Sequence, residues 1–282
     1  LEQLAPNAGT AVRVGISGVP GVGKSTFIES LGTHLTGAGH RVGVLAVDPS
    51  SPFSGGALLG DRVRMSDHAS DPGVYIRSMA TRGHLGGLAW AAPQAIRVLD
   101  AAGCDVILVE TVGVGQSEGE IASQADTSVV LLAPGMGDGI QAAKAGILEI
   151  GDVYVVNKAD RDGADATVRE LNHMLGLGES RGPGDWRPPI VKTVAARAEG
   201  IDEVVEALEK HRAWMDEHGV LAQRRLARAS REVETIAVTT LRERIGDLHG
   251  DRRLSALAER IVGGELDPYR AADELVAGLT QA

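Results

Sequence analysis

A glycine-rich segment near the start of the chain carries residue types that bind phosphate. Residues 18–26 read GVPGVGKST and match the pattern G-x-x-x-x-G-K-[ST]. Its glycines let backbone N–H groups turn toward an anion, and the helix expected after it presents a positive N-terminal end. We expect Lys24 to bridge the β- and γ-phosphates and the Ser25 hydroxyl to ligate Mg²⁺. The predicted phosphate loop comprises Gly18, Val19, Pro20, Gly21, Val22, Gly23, Lys24, Ser25 and Thr26.

A second motif has the spacing of a guanine-binding loop. Asn157, Lys158 and Asp160 form N-K-x-D directly after the aliphatic run VYVV. The Asp160 carboxylate can accept hydrogen bonds from guanine N1–H and from the exocyclic amine, whereas adenine has no donor at N1. A site built on such bonds rejects an analogue that lacks them by about 10⁴-fold or more. The two motifs together therefore predict GTP and GDP as ligands.

The surroundings of the base follow from the same motif and from the next aliphatic run. We expect Asn157 to tie its loop to the phosphate loop, and the methylene stem of Lys158 to cover the face of the base. After the run IVKTV, the residues Ala195, Ala196 and Arg197 stand where GTPases carry Ser-Ala-Lys, with Ala195 in place of the serine. A backbone N–H in this segment could still bind guanine O6.

Three acids are candidates for the magnesium site and for catalysis. Glu110 ends the run VILVE and precedes TVGVG, so that its carboxylate can hold Mg²⁺ through water. Asp48 closes VLAVD and is either a ligand of Mg²⁺-bound water, a group that orients the attacking water, or a helix N-cap. Asp61 is either a third metal ligand or a solvated helix carboxylate. Lys24, Asp48 and Glu110 are the predicted catalytic residues.

Three further positions are candidate switches that respond to the γ-phosphate. The Gly113 N–H follows Glu110 closely enough to sense the γ-phosphate, and Arg64 lies in GDRVRM after a glycine- and serine-rich stretch. Residues 135–139 read GMGDG and lead to Lys144. This segment is either a mobile loop that transmits the nucleotide state or a plain connection between a strand and a helix.

Short aliphatic runs, most of them followed by helical periodicity, place these motifs in one fold. Such alternation predicts a parallel sheet covered by helices on both faces, with ligands at the carboxyl ends of the strands. The fold class is therefore α/β: a P-loop NTPase with a mostly parallel central sheet and a C-terminal helical extension. The predicted strands are Val12–Ser17, Val42–Val47, Val74–Arg77, Val106–Glu110, Ser128–Ala133, Val153–Asn157 and Ile190–Val194.

The C-terminal part of the chain is rich in arginine and predicts helices without strands. We place a domain boundary near 219, between a GTPase domain at 1–219 and a helical arm at 220–282. Small or apolar residues recur there at steps of three and four, which gives one apolar stripe. That stripe either packs on the parent domain or forms a dimerisation arm. Its members are Leu226, Ala229, Val233, Ile236, Thr240 and Leu241.

Composition excludes several classes of function. The net charge of −10 argues against a phosphate backbone as the main partner, and we expect no nucleic acid and no membrane. The single cysteine, Cys104, is expected in the core, and its isolation favours a reducing, cytoplasmic location. The histidines are dispersed, and both His211 and His218 are expected on the surface rather than as metal ligands.

Several longer segments resemble those of one family, the methylmalonyl-CoA mutase-associated GTPases, or ArgK/MeaB family. The segments are GVPGVGKST, AVDPSSPFSGGALLGDRVRM, RSMATRGHLGGL, VETVGVGQSE, APGMGDGIQAAKAGILEI and NKAD. The resemblance implies a homodimeric GTPase that attends an adenosylcobalamin-dependent methylmalonyl-CoA mutase, where it gates the loading of the cofactor and protects the enzyme from inactivation. It also implies roles for Lys24 and Ser25 at phosphate, for Asp48, Asp61 and Glu110 around Mg²⁺, for Asp160 at guanine and for Lys144 in a third switch.

Two other functions are weighed against a mutase chaperone. An older interpretation of the same family is a nucleotide-dependent kinase or ATPase component of a lysine/arginine/ornithine transport system, which would transfer phosphate to a protein. A binding module without catalysis is the other alternative. It conflicts with the presence of Lys24, Ser25, Asp48 and Glu110 together.

Overall fold

The computed structural model describes residues 9–48, 73–80, 91–111, 123–135, 150–177, 182, 184–245 and 252–280. Within these residues, the predicted α/β architecture is confirmed. Seven parallel strands form one sheet in the order β3-β2-β4-β1-β5-β6-β7. The strands are β1 Val12–Ser17, β2 Val42–Asp48, β3 Val74–Ala80, β4 Val106–Thr111, β5 Thr127–Leu132, β6 Val153–Val156 and β7 Ile190–Lys192.

The last strand is shorter than the sequence predicts. β7 ends at Lys192, and Val194 instead forms an isolated antiparallel bridge with Glu199. Between these two residues, a short 3₁₀ helix spans Ala195–Arg197. The chain leaves the sheet early because Val194 pairs with the returning segment. This turn sets the position of Ala195–Arg197, the predicted second base loop, whereas residues 157–160 form the predicted first base loop.

Helices cover both faces of the sheet. On one face, α1 and α4 pack through Phe27, Ile28 and Val204, and on the other face α2 and α3 pack through Ile96 and Leu171. Burial from both sides explains why the strands are almost continuously aliphatic. The helices are α1 Lys24–Gly37, α2 Ala92–Ala101, α3 Ala164–Leu177, α4 Ile201–Glu217, α5 Val220–Ile245, α6 Arg252–Val262 and α7 Pro268–Thr280.

The chain divides into two compact units, Leu1–Arg225 and Leu226–Ala282. In the second unit, α6 and α7 share a small core of Leu257, Ala271 and Leu275. The predicted boundary near 219 coincides with the break between α4 and α5, and it stays a prediction. None of the helices in the described part of the chain is both long and apolar enough to span a membrane.

Cys104 is buried, as expected, but the surface position predicted for His211 is wrong. The His211 ring is fully buried on α4, with Nδ1 at 2.9 Å from Thr127 Oγ1 and its ring centre at 4.8 Å from that of Trp186. Burial lowers the pKa of His211 to about 4; of its neighbours, Asp152 opposes this shift and Arg224 adds to it. Sequence spacing did not show this burial because Trp186 comes from a distant segment.

Candidate nucleotide-binding site

The phosphate loop connects the carboxyl end of β1 to the first residue of α1. Gly23 precedes the helix with a φ of 92°, a backbone conformation that favours glycine. A Cβ at this position would lie 2.7 Å from the Asn157 side-chain nitrogen, so the contact with the base loop also requires glycine. The first turn of α1 contains no acidic residue that would neutralise its positive end. The loop therefore has the form of an anion cradle.

The Lys24 side chain is buried within this loop. Its ammonium group donates a hydrogen bond to the Gly18 carbonyl oxygen at 2.7 Å and reaches the Val19 carbonyl oxygen at 3.5 Å. Only 8% of the residue is exposed. The lysine that the sequence assigns to phosphate is thus held by the loop that would surround the phosphates.

The side chains of Ser25 and Glu110 contact each other beside the phosphate loop. The Ser25 hydroxyl donates to Glu110 Oε1 at 3.4 Å, and Glu110 is 5% exposed. Glu110 on β4 is in register with Ile16 on β1 and Ala46 on β2, so that the backbone of Asp48 ends β2 two residues further along the same edge. Hydroxyl and carboxylate oxygens are the ligands that Mg²⁺ prefers, and this donor set fits the ion.

The Asn157 side chain joins three segments of the site. Its Nδ2 donates to the Val22 carbonyl oxygen at 2.9 Å, as the sequence predicts. Its Oδ1 accepts from the Thr193 hydroxyl and from the Ala195 amide, each at 3.1 Å. Asn157 is 2% exposed. One buried amide therefore fixes the distance between the phosphate loop and both base loops.

Lys158 and Asp160 lie on the exposed side of the same loop. Lys158 adopts a φ of 57°, and its ammonium group donates to the Gly21 carbonyl oxygen at 2.6 Å. The Asp160 side chain is 39% exposed and lies 3.4 Å from the Arg197 guanidinium. A bound base could therefore reach the Asp160 carboxylate from solvent.

Four of the predicted positions lie outside the described residues: Asp61, Arg64, Gly113 and Lys144. Only the backbone of Asp48 is described. Conversely, sequence reasoning did not identify Thr193 and Glu199, which contact Asn157 and Arg197 respectively. For Thr193, its position directly after the last strand could have been a signal. For Glu199, no signal was visible, because its contact with Arg197 depends on the bridge to Val194.

A parallel sheet in this order, with a glycine-rich loop leading from β1 into α1, defines a P-loop nucleoside triphosphatase. Residues 1–248 match the family described as methylmalonyl-CoA mutase-associated GTPase MeaB. A protein of Pyrococcus abyssi, named as a GTPase, is 47% identical over 277 residues, which cover 98% of this chain and 86% of the relative. The chain therefore belongs to the MeaB family of GTPases, and the resemblance drawn from its sequence is confirmed.

Two further proteins are similar to this chain. The mouse protein named methylmalonic aciduria type A homolog, mitochondrial, is 40% identical over 280 residues, covering 98% of this chain and 68% of the relative. A crystal structure described as LAO/AO transport system kinase matches with a TM-score of 0.71 and 27% identity, covering 99% of this chain and 85% of that one.

Proposed function

We propose that this chain hydrolyses GTP as a chaperone that assists the assembly and protection of an adenosylcobalamin-dependent methylmalonyl-CoA mutase. The observation that carries the proposal is the family match over residues 1–248, whose description names the mutase. The name of the mouse relative refers to methylmalonic acid, the acid that also forms part of the mutase's name. The buried Asn157 bridge supports the GTP-binding part of the proposal, because it holds the predicted phosphate loop and the predicted base loops at a fixed separation.

The chemistry follows from the groups around the phosphate loop. Lys24 would turn from the Gly18 carbonyl oxygen to the β- and γ-phosphate oxygens. Ser25, Asp48, Asp61 and Glu110 would hold Mg²⁺, directly or through water. When bound, the ion neutralises charge on the phosphates. Asp48 or Glu110 would orient the attacking water.

The groups available for base recognition follow from the hydrogen bonds within the predicted base loops. The Ala195 amide donates to Asn157, so the neighbouring Ala196 amide is the group we assign to guanine O6. Asp160 would accept from N1–H and the exocyclic amine, and the Lys158 stem would cover the ring. Adenine would leave the Asp160 carboxylate without a donor at N1.

Communication with the mutase would use the switch positions and a dimer. Arg64, Gly113 and Lys144 are the groups we assign to sensing the γ-phosphate. On α5, the apolar side chains Leu226 and Val233 are 70% and 68% exposed, which favours the dimerisation arm in a homodimer. We place this homodimer in the cytoplasm.

The test uses the full chain with a purified adenosylcobalamin-dependent methylmalonyl-CoA mutase. We expect the two proteins to co-purify, and the mutase to raise the rate of GTP hydrolysis with all γ-phosphate released as free phosphate. Absence of both effects would reject the chaperone role. Radiolabelled γ-phosphate on a transport protein would instead support the kinase alternative, which the transport-kinase match suggests.

A further inference from the structure

Three charged side chains meet at the edge of the base loops. The Arg197 guanidinium lies between the carboxylates of Asp160 and Glu199. Its Nε donates to Glu199 Oε1 at 2.7 Å and its Nη2 to Glu199 Oε2 at 3.3 Å. Its Nη1 reaches Asp160 Oδ2 at 3.4 Å. Glu199 therefore has two bonds to this cation and Asp160 has one, at the longest of the three distances.

The backbone fixes Glu199 opposite Arg197. The Val194 amide donates to the Glu199 carbonyl oxygen at 3.0 Å, and the Glu199 amide returns a bond to the Val194 carbonyl oxygen at 3.4 Å. Between them, Ala198 reverses the chain with a φ of 56°. The carboxylate is thus placed by a closed turn, although its end is in solvent.

The electrostatics agree with the distances. The pKa of the Arg197 guanidinium is raised, first by the hydrogen bond and charge of Glu199 and less by Asp160. A guanidinium that bound Asp160 more closely would occupy a carboxylate oxygen that guanine needs. Both oxygens are required when a base presents N1–H and an exocyclic amine side by side.

We propose that Glu199 is a positioning residue for guanine selectivity, because it holds the Arg197 guanidinium away from Asp160 and leaves both carboxylate oxygens available to the base. This inference rests on the proposed base-reading role of Asp160. In addition, it assigns to Glu199 the control of how many Asp160 carboxylate oxygens are available to guanine.

The experiment compares the affinities of GDP and inosine diphosphate by calorimetric titration at low salt, where exposed charge pairs are least screened. Inosine lacks the exocyclic amine and needs only one of the Asp160 oxygens. We expect E199Q to weaken the binding of GDP by about 2- to 5-fold, which corresponds to the energies of exposed ion pairs. The affinity for inosine diphosphate should stay nearly unchanged. The ratio of the GDP affinity to the inosine diphosphate affinity should therefore be smaller in E199Q than in the wild type.

The control is E206Q, which makes the same chemical change at an exposed Glu–Lys pair of 2.7 Å on α4. It should leave the ratio at the wild-type value. In R197Q, where the competing cation is gone, adding E199Q should have no further effect on the ratio.

Two outcomes separate this inference from the function on which it rests. If the wild-type chain does not prefer GDP over inosine diphosphate, the base-reading role of Asp160 itself fails. If the wild type prefers GDP but E199Q keeps the same ratio, or weakens both nucleotides equally, only the role of Glu199 is overturned.

Discussion

The side-chain amide of Asn157 donates a hydrogen bond to the main-chain carbonyl oxygen of Val22 at 2.9 Å. These residues are 135 positions apart in the sequence and belong to the base loop and the phosphate loop. The Oδ1 of the same amide accepts two bonds from the segment after β7. The predicted phosphate loop and the two predicted base loops are therefore joined through one buried side chain.

We predict that N157D weakens GDP binding. A carboxylate keeps the bonds from Thr193 and Ala195 but cannot donate to Val22, and it places a charge against a carbonyl oxygen. Loss of a buried donor should reduce GDP affinity by about tenfold or more. Calorimetric titration measures this loss. The control N172D makes the same change at an exposed position on α3. Equal affinities in N157D and wild type would refute the coupling.

A pair of alanine substitutions separates backbone strain from contact in the phosphate loop. Gly21 and Gly23 have similar φ values of 86° and 92°, but only a Cβ at Gly23 would press on the Asn157 side chain. We expect G21A to cost about 1–2 kcal/mol in unfolding free energy from conformation alone. G23A should cost more and should also displace Asn157, which denaturant unfolding and GDP titration would detect. Similar losses in both variants would show that strain alone matters.

The sequence was sufficient for the sheet, for the glycine-rich turn between β1 and α1 and for the contact of Asn157 with that turn, because aliphatic runs and motif spacing are local signals. It was not sufficient for contacts between distant segments that carry no motif. The end of β7 depends on the bridge from Val194 to Glu199, and the burial of His211 depends on Trp186. Neither contact leaves a periodic pattern in the sequence, so the contact between Glu199 and Arg197 is seen only in the folded chain.

We predict that the folded chain loses stability in mild acid, because His211 is buried. Its pKa is about 4 in the folded chain and 6.5 when exposed, so the unfolded state takes up the proton first. The stabilisation is complete above pH 6.5 and is lost as the pH falls toward 4. Between pH 7.5 and 5.0 the expected loss of unfolding free energy from His211 is about 2 kcal/mol.

H211F tests this assignment, because phenylalanine keeps a ring beside Trp186 but does not titrate. Denaturant unfolding at pH 7.5 and 5.0 should show a smaller loss in H211F than in wild type, by about 2 kcal/mol. The variant also loses the bond to Thr127, so its stability at pH 7.5 should be lower by about 1 kcal/mol. Parallel pH curves for the two proteins would assign the acid sensitivity to other groups.

Exchange of the nucleotide base tests the central claim, that this chain selects GTP through Asp160. In D160N, the side chain presents an amide donor in place of one carboxylate oxygen. Guanine then loses an acceptor for its amine, whereas the 2-oxo group of xanthine gains a donor. Measurement of kcat/KM for GTP and xanthosine triphosphate in both proteins should show GTP preferred by the wild type and xanthosine triphosphate by D160N. Unchanged preference for GTP in D160N would contradict the account.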